Sequence, residues 1–282
     1  MNTSAPPAAV VDAHHHVWEL SRGDYGWLTA DLGLIHRDFT MDDYRRVSPP
    51  GVVASVLVQA APTVAETRFL LDVARGCSGS VGAVVGYVDL DRDDAADEIA
   101  QLAGDPYLRG LRPMLHDLDD PGWILGPRVD RALEALAASR LRFDALVRAR
   151  ELPALLRMIE RHPELPVVID HGAKPPIASA EWEPWAGWIR RLAAHPQVNC
   201  KLSGLVTEAA ADWSVDTLRP YVQHLLDAFG SGRLMWGSDW PVVILGGGMD
   251  RWWAATLALL EPMRPLERAA ILGGNAARFY GL

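Results

Sequence analysis

Short apolar runs rich in β-branched residues recur eight times along this chain, and each gives way to a stretch of helical periodicity. The runs cover residues 10–17, 52–60, 81–90, 108–115, 141–147, 166–170, 198–202 and 233–237. Between them, Val129, Ala132, Leu133 and Leu136 trace one apolar helix face, and Leu152, Leu155, Leu156 and Ile159 trace another. Pro127 suits the first turn of the former helix. Arg161-His162-Pro163 and Ala194-His195-Pro196 punctuate two helix ends, because the residue before a proline avoids the helical region. Eight strand–helix alternations without a linker predict a single-domain (β/α)8 TIM barrel over residues 10–282, behind a disordered leader of residues 1–9. The length of 282 residues agrees, since one such barrel typically runs to about 250.

Composition narrows the partners. Apolar residues make up 49% of the chain and charged ones 22%, enough for a large core. The formal net charge of −9 argues against nucleic acid or an anionic membrane as partner. No window approaches the roughly 18 consecutive apolar residues of a spanning helix. Neither a Gly-x-Gly-x-x-Gly after the first strand nor a phosphate loop is present, which weakens a nucleotide-binding reading. Cys77 and Cys200 show neither a disulfide framework nor zinc-ligand spacing, and the N-terminal segment lacks the basic start and apolar stretch of a signal peptide. A cytoplasmic setting is expected.

In a barrel of this kind the chemistry sits where strands end and loops begin. His14 and His16, two apart, project together at the end of the first run, while His15 points the other way as a structural group. Gln59 ends the second run, Arg112 lies on the fourth with His116 beyond, and Asp144 lies on the fifth. Asp170-His171 ends the sixth, Lys201 and Ser203 mark the seventh with Glu208 in its loop, and Ser238-Asp239-Trp240 follows the eighth. Such groups on apolar runs are costly unless they share a polar site. Asp12 is a candidate to orient a histidine. Arg112 offers a forked donor for a carbonyl or hydroxyls, or else a structural ion pair with Asp144. Of the 11 tryptophans, Trp18, Trp27, Trp123, Trp213 and Trp240 fall in expected loops, where flat faces suit a sugar ring.

Asp12-Ala13-His14-His15-His16-Val17-Trp18, Leu108-Arg109-Gly110-Leu111-Arg112, Asp170-His171-Gly172-Ala173-Lys174-Pro175, Asn199-Cys200-Lys201-Leu202-Ser203-Gly204 and Met235-Trp236-Gly237-Ser238-Asp239-Trp240-Pro241 together resemble the lactonase branch of the amidohydrolase superfamily. The resemblance spans nearly the whole chain. It implies a (β/α)8 barrel that opens a sugar lactone, an aldonolactone such as L-fucono-lactone in L-fucose catabolism. Asp239 matches the general base after the last strand, His14 and His16 the strand 1 pair, and His171 the strand 6 histidine. No bridging lysine stands on strand 4, and Lys201-Leu202-Ser203 stands where a further histidine would help build a binuclear metal centre.

A lactone is an activated ester, so a positioned water, a base and oxyanion donors suffice without metal. No cofactor is therefore expected to be required, although one zinc ion fits His14, His16, His171 and Asp239. Water attacks the carbonyl, Asp239 takes its proton, Arg112 with the histidines steadies the oxyanion, and Glu208 or Asp239 protonates the leaving oxygen. For Glu208 this requires a raised pKa, with shielding by Trp213 or Trp240. Arg112, Trp18, Trp27, Gln59, Asp144, Lys201 and Trp240 are the expected substrate contacts. The alternatives are a zinc-dependent decarboxylase of the same superfamily and a non-catalytic sugar-binding barrel.

Overall fold

The computed structural model describes residues 9–77 and 79–282. The expected leader therefore lies almost wholly outside the described residues. Eight parallel strands follow one another around a single sheet in chain order: β1 (Val10–His15), β2 (Val52–Val58), β3 (Val81–Gly86), β4 (Leu108–Leu111), β5 (Arg142–Ala145), β6 (Val167–Ile169), β7 (Val198–Leu202) and β8 (Leu234–Trp236). A main helix follows each: α1 (Met41–Val47), α2 (Val64–Gly76), α3 (Ala95–Leu102), α4 (Pro127–Ala138), α5 (Leu152–Arg161), α6 (Trp185–Ala193), α7 (Val215–Phe229) and α8 (Met249–Leu260). The ring closes just past β8, where His16 N–H donates to the Trp240 carbonyl at 2.7 Å and Asp239 N–H to that of His14 at 2.8 Å. The fold is the expected (β/α)8 barrel.

Local sequence explains the elements. α4 starts at Pro127 and buries Val129, Ala132, Leu133 and Leu136, while α5 buries the Leu152, Leu155, Leu156 and Ile159 stripe. α5 ends at Arg161 and α6 at Ala193, each just before its histidine–proline pair. His162 caps α5 and pairs with Asp130 at 2.9 Å, a structural role. The strands stop short of the apolar runs that predicted them: the run 81–90 is strand only to Gly86 and the run 108–115 only to Leu111. The remainders turn over the barrel mouth.

Two cores result. The larger lies between barrel and helices and includes Leu57, Phe143, Leu202 and Trp236. The smaller fills the lower lumen with Val11, Ala13, Val56, Val58, Ala83, Val85, Val168 and Met235. After α8 come α9 (Pro265–Ala269), a π turn and α10 (Asn275–Tyr280), and these close the barrel bottom. Asn275 binds the Leu234 carbonyl at the start of β8, Arg142 at the start of β5 binds the Phe279 carbonyl, and Tyr280 is fully buried in the lumen core. The bottom is sealed, so the open end is the mouth where the strands end.

Candidate active site

Simple alternation from Val11 and Ala13, both in the lumen core, would send His15 inward. Instead the β1–β2 register slips between Asp12 and His15. The extra residue reverses the phase, as a β-bulge does. His14 and His16 reach the mouth together, while His15 stacks on Tyr44 of α1 at 4.0 Å and meets Ser55 Oγ at 2.9 Å. The carboxylate of Asp12 accepts from the backbone N–H groups of His14 (3.1 Å) and Ser238 (2.8 Å) and from the Tyr44 hydroxyl, so it staples the β1–β8 seam beneath the site.

Backbone strain delivers two further groups. Residues 171–174 all take positive φ: His171 55°, Gly172 60°, Ala173 61° and Lys174 48°. Left-handed backbone costs about 1–2 kcal/mol per non-glycine residue and rarely runs on for several residues, so the surrounding structure must impose it. Asp239 shares this geometry at φ 58°. Two glycines make room for the rings: a Cβ on Gly204, itself at φ 61°, would meet His171 Nδ1 at 2.5 Å, and one on Gly237 would meet His14 Cβ at 2.8 Å.

The result is a compact cluster. His14 Nε2 lies 3.2 Å from His16 Nε2, and Asp239 Oδ1 lies 3.4 Å from His16 Nε2, 3.7 Å from His14 Nε2 and 3.8 Å from His171 Nε2. Outer partners orient the rings. His16 Nδ1 donates to the Val58 carbonyl at 2.8 Å, which leaves Nε2 free to accept or ligate, and His171 Nδ1 meets Ser203 Oγ at 2.8 Å. Burial would raise the Asp239 pKa, but His171, His16 and His14 outweigh it and hold the carboxyl well below its usual range. Burial pushes His171 down to about 4, helped by Lys174 and Arg112.

Beneath the cluster runs a dry layer of charge. Lys201 reaches Asp144 at 2.5 Å, Asp170 at 2.9 Å and His14 Nδ1 at 3.1 Å. Arg112 pairs with Asp170 at 3.3 Å and donates to the Gln59 carbonyl, while the Gln59 amide donates to the Arg112 carbonyl. Tyr280 rises from the plug to donate to Asp144 at 2.7 Å. Burial opposes charge on Asp170, yet Lys201, His14 and Arg112 hold it ionised; burial wins at Asp144, whose pKa is raised. Burial and the Lys201 ammonium together push His14 well down.

Above the cluster opens a cavity of about 180 Å³ lined by His16, Trp27, Arg112, His171, Lys174 and Asp239, with His116, Met114, Leu146 and Val242 among the walls. Its size is below the ~300–1,000 Å³ typical for drug-sized ligands, which suits one small ring. A larger groove of about 460 Å³ beside Arg68 and Arg92 lies elsewhere, and those arginines are paired with Glu98 and Asp94. The imidazole–carboxylate cluster converges on the smaller cavity instead.

Several expected substrate contacts lie elsewhere. Lys201, Asp144 and Gln59 are fully buried and brace the floor, and Arg112 pairs with Asp170 rather than Asp144. Trp18 is buried behind Trp27, with its indole N–H on the Arg37 carbonyl, and Trp240 packs on Phe39 and Tyr44. Trp213 binds the Gly246 carbonyl, and Trp123 packs against the outer core. Of the loop tryptophans, Trp27 alone among the described residues lines the cavity. The raised pKa expected at Glu208 is overturned: burial favours it, but Lys174 at 2.6 Å and Arg148 at 2.8 Å hold the carboxyl below its ordinary value. Lys174 and His116 also line the cavity, although no local pattern in the sequence announces the left-handed turn or the loop path that brings them there.

The cluster suits a divalent cation. Ligands about 2.0–2.1 Å from a tetrahedral zinc stand about 3.3 Å apart, close to the spacings above. His14, His16 and Asp239 form one candidate triple, and His14, Asp170 and His171 another. Lys201 opposes this at one point. An ammonium on His14 Nδ1 favours the tautomer with hydrogen on Nε2, which must leave before that atom can ligate.

The family model described as amidohydrolase matches residues 11–282. The chain belongs to the amidohydrolase family. It is 48% identical to an L-fucono-1,5-lactonase of Burkholderia ambifaria over 276 residues, covering 96% of this chain and 94% of that one. A second L-fucono-1,5-lactonase, from Burkholderia multivorans, is 36% identical over 294 residues, with 96% of both chains covered. Among solved structures, a Burkholderia multivorans amidohydrolase with bound zinc superposes at a TM-score of 0.91, with 36% identity over 98% of this chain and 100% of that one. This amidohydrolase thus matches relatives named for lactone hydrolysis along nearly its whole length and shares its fold with a zinc-bound amidohydrolase.

Proposed function

We propose that this amidohydrolase hydrolyses a sugar lactone, L-fucono-1,5-lactone, to the open aldonic acid. The observation that carries the reading is the convergence of His14, His16, His171 and Asp239 under a cavity sized for one ring, in a chain 48% identical to a lactonase along nearly its whole length.

The cavity supports a direct hydrolytic route. Water held by Asp239 attacks the lactone carbonyl and passes a proton to the carboxylate, which is ionised because the imidazoles face it. Arg112, which lines the cavity, offers a donor to the oxygen that gains negative charge. Arg112 is pre-set for this by its pair with Asp170 and its bond to the Gln59 carbonyl. Trp27, its indole N–H on the Ala60 carbonyl, presents an apolar wall to the ring. His14, His16, His171 and Asp239 are the residues that would hold zinc, and a cation there would polarise the carbonyl as a Lewis acid. An ester as reactive as a lactone does not require that help. The two free cysteines accord with a reducing cytoplasmic setting, and no described helix is long and apolar enough to cross a membrane.

The deciding experiment is a pH-indicator screen of aldonolactones differing in ring size and hydroxyl stereochemistry, with an aromatic acid run in parallel for decarboxylation. Acid release with L-fucono-1,5-lactone as the best substrate supports the reading. Carbon dioxide release from the aromatic acid alone, or lactone binding without turnover, would overturn it.

A further inference from the structure

Lys174 is the cavity cation that the route above leaves unused. It lines the cavity with His171 and Asp239, and the left-handed turn of residues 171–174 puts it there at a cost in backbone strain. Its ammonium is held from behind. Glu208 Oε1 accepts from Lys174 Nζ at 2.6 Å, and Arg148 pins the other carboxylate oxygen at 2.8 Å. The Glu208 carbonyl also accepts from Ala178 N–H at 2.9 Å, so the same residue ties down the loop that follows the lysine. Glu208 does not line the cavity, whereas Lys174 does.

A lactone opening needs two proton transfers at two places. One takes a proton from water at the carbonyl, and the other gives one to the ring oxygen as its bond to the carbonyl carbon breaks. Asp239 serves the first. We infer that Lys174 serves the second, as the catalytic residue that protonates the departing ring oxygen, with Glu208 as its positioning residue. The inference rests on the lactonase reading.

The balance closes. Water loses one proton to Asp239, and its oxygen, with the other hydrogen, bonds to the carbonyl carbon. As the tetrahedral species collapses, the carbon–ring-oxygen bond breaks and the oxygen takes a proton from the Lys174 ammonium to become the free hydroxyl. The new carboxylic acid returns its proton to the Lys174 amine, and Asp239 releases its proton to solvent. The sum is lactone plus water giving carboxylate, a hydroxyl and one proton.

The test is steady-state kinetics of Lys174→Met, Lys174→Arg, Glu208→Gln and the Lys174→Met/Glu208→Gln double variant on the best lactone. Circular dichroism and melting temperature serve as fold checks. A proton donor cannot be replaced by a guanidinium, which does not give up its proton in proteins. Both lysine variants should therefore lose about 10²-fold in kcat with KM within about threefold. Glu208→Gln should lose less, about tenfold, and should add nothing in the double variant, because it acts only through Lys174. The arginine variant keeps the ion pair with Glu208, so it carries the test should the methionine variant unfold. An arginine variant with near-normal kcat, a change confined to KM, or additive losses in the double variant would each overturn the inference while leaving the lactonase standing. A wild-type protein that turns over no aldonolactone would overturn both.

Discussion

The two halves of the barrel lumen are built from the same strands and opposite chemistry. The lower half is apolar, with Val11, Ala13, Val56, Val58, Ala83, Val85, Val168 and Met235 packed on the Tyr280 plug. The upper half holds Asp144, Asp170, Lys201, Arg112, His14 and Asp239, all almost without solvent contact. Where they meet, the Tyr280 hydroxyl donates to Asp144. The lower half gains stability from apolar burial, and the upper half spends some of it. It buries charge that pairs only within itself, and it bends His171, Lys174 and Asp239 into left-handed backbone. The proposed function places reactivity in the upper layer and stability in the lower, and substitutions should separate them.

The sharpest break comes at Asp239→Asn. Removing the base should lower kcat by about 10²-fold or more, and the melting temperature should fall modestly, since the folded protein holds this carboxylate below its usual pKa and its charge therefore stabilises the fold at neutral pH. Near-normal turnover measured on the best lactone would remove Asp239 from the chemistry. The mirror experiment is Met235→Ala in the lower layer. It should cost about 2–5 kcal/mol of unfolding free energy in urea melts and leave kcat per folded molecule close to wild type. A large kcat loss there would show that the layers are not separable.

Arg112→Lys should weaken transition-state binding by about 1.5–3 kcal/mol, read as kcat/KM, because lysine cannot reach the Gln59 carbonyl and Asp170 while still facing the cavity. Unchanged kinetics with a lower melting temperature would assign Arg112 to the structural layer instead. The smallest effect is expected on chelation. Stripping divalent metal, checked by metal analysis, should change lactone turnover by less than about threefold, since Lys201 already occupies His14 Nδ1 and the ester is reactive. Activity that disappears and returns in proportion to added zinc would make the cation a working part of the upper layer.

Most of the barrel was legible in the sequence because its signal is local. Each apolar run and each amphipathic stripe buries its face whatever its neighbours are, and eight in succession leave few ways to close. The strand-end polar residues were legible for a related reason: Asp170-His171 and Ser238-Asp239 are costly on apolar runs unless they share a site. Resolving that site into parts was another matter. Gln59, Asp144 and Lys201 look like substrate contacts in a list of strand ends, but depth along the strand separates floor from cavity, and depth depends on where ladders stop. Glu208 resembled a shielded acid because Lys174 and Arg148, far from it in the sequence, could not be seen to converge on it.

The sequence by itself determined the architecture, the family and the imidazole–carboxylate cluster, since periodicity and residue type act over a few positions. Tertiary structure alone decided that a bulge between Asp12 and His15 brings about the facing of His14 and His16 that their spacing predicts, and which lysine lines the cavity. It buried Lys201 among carboxylates and swung Lys174 out on a left-handed turn. The physical reason is that both outcomes rest on strain and pairing between distant segments, whose energies exist only once the barrel has closed.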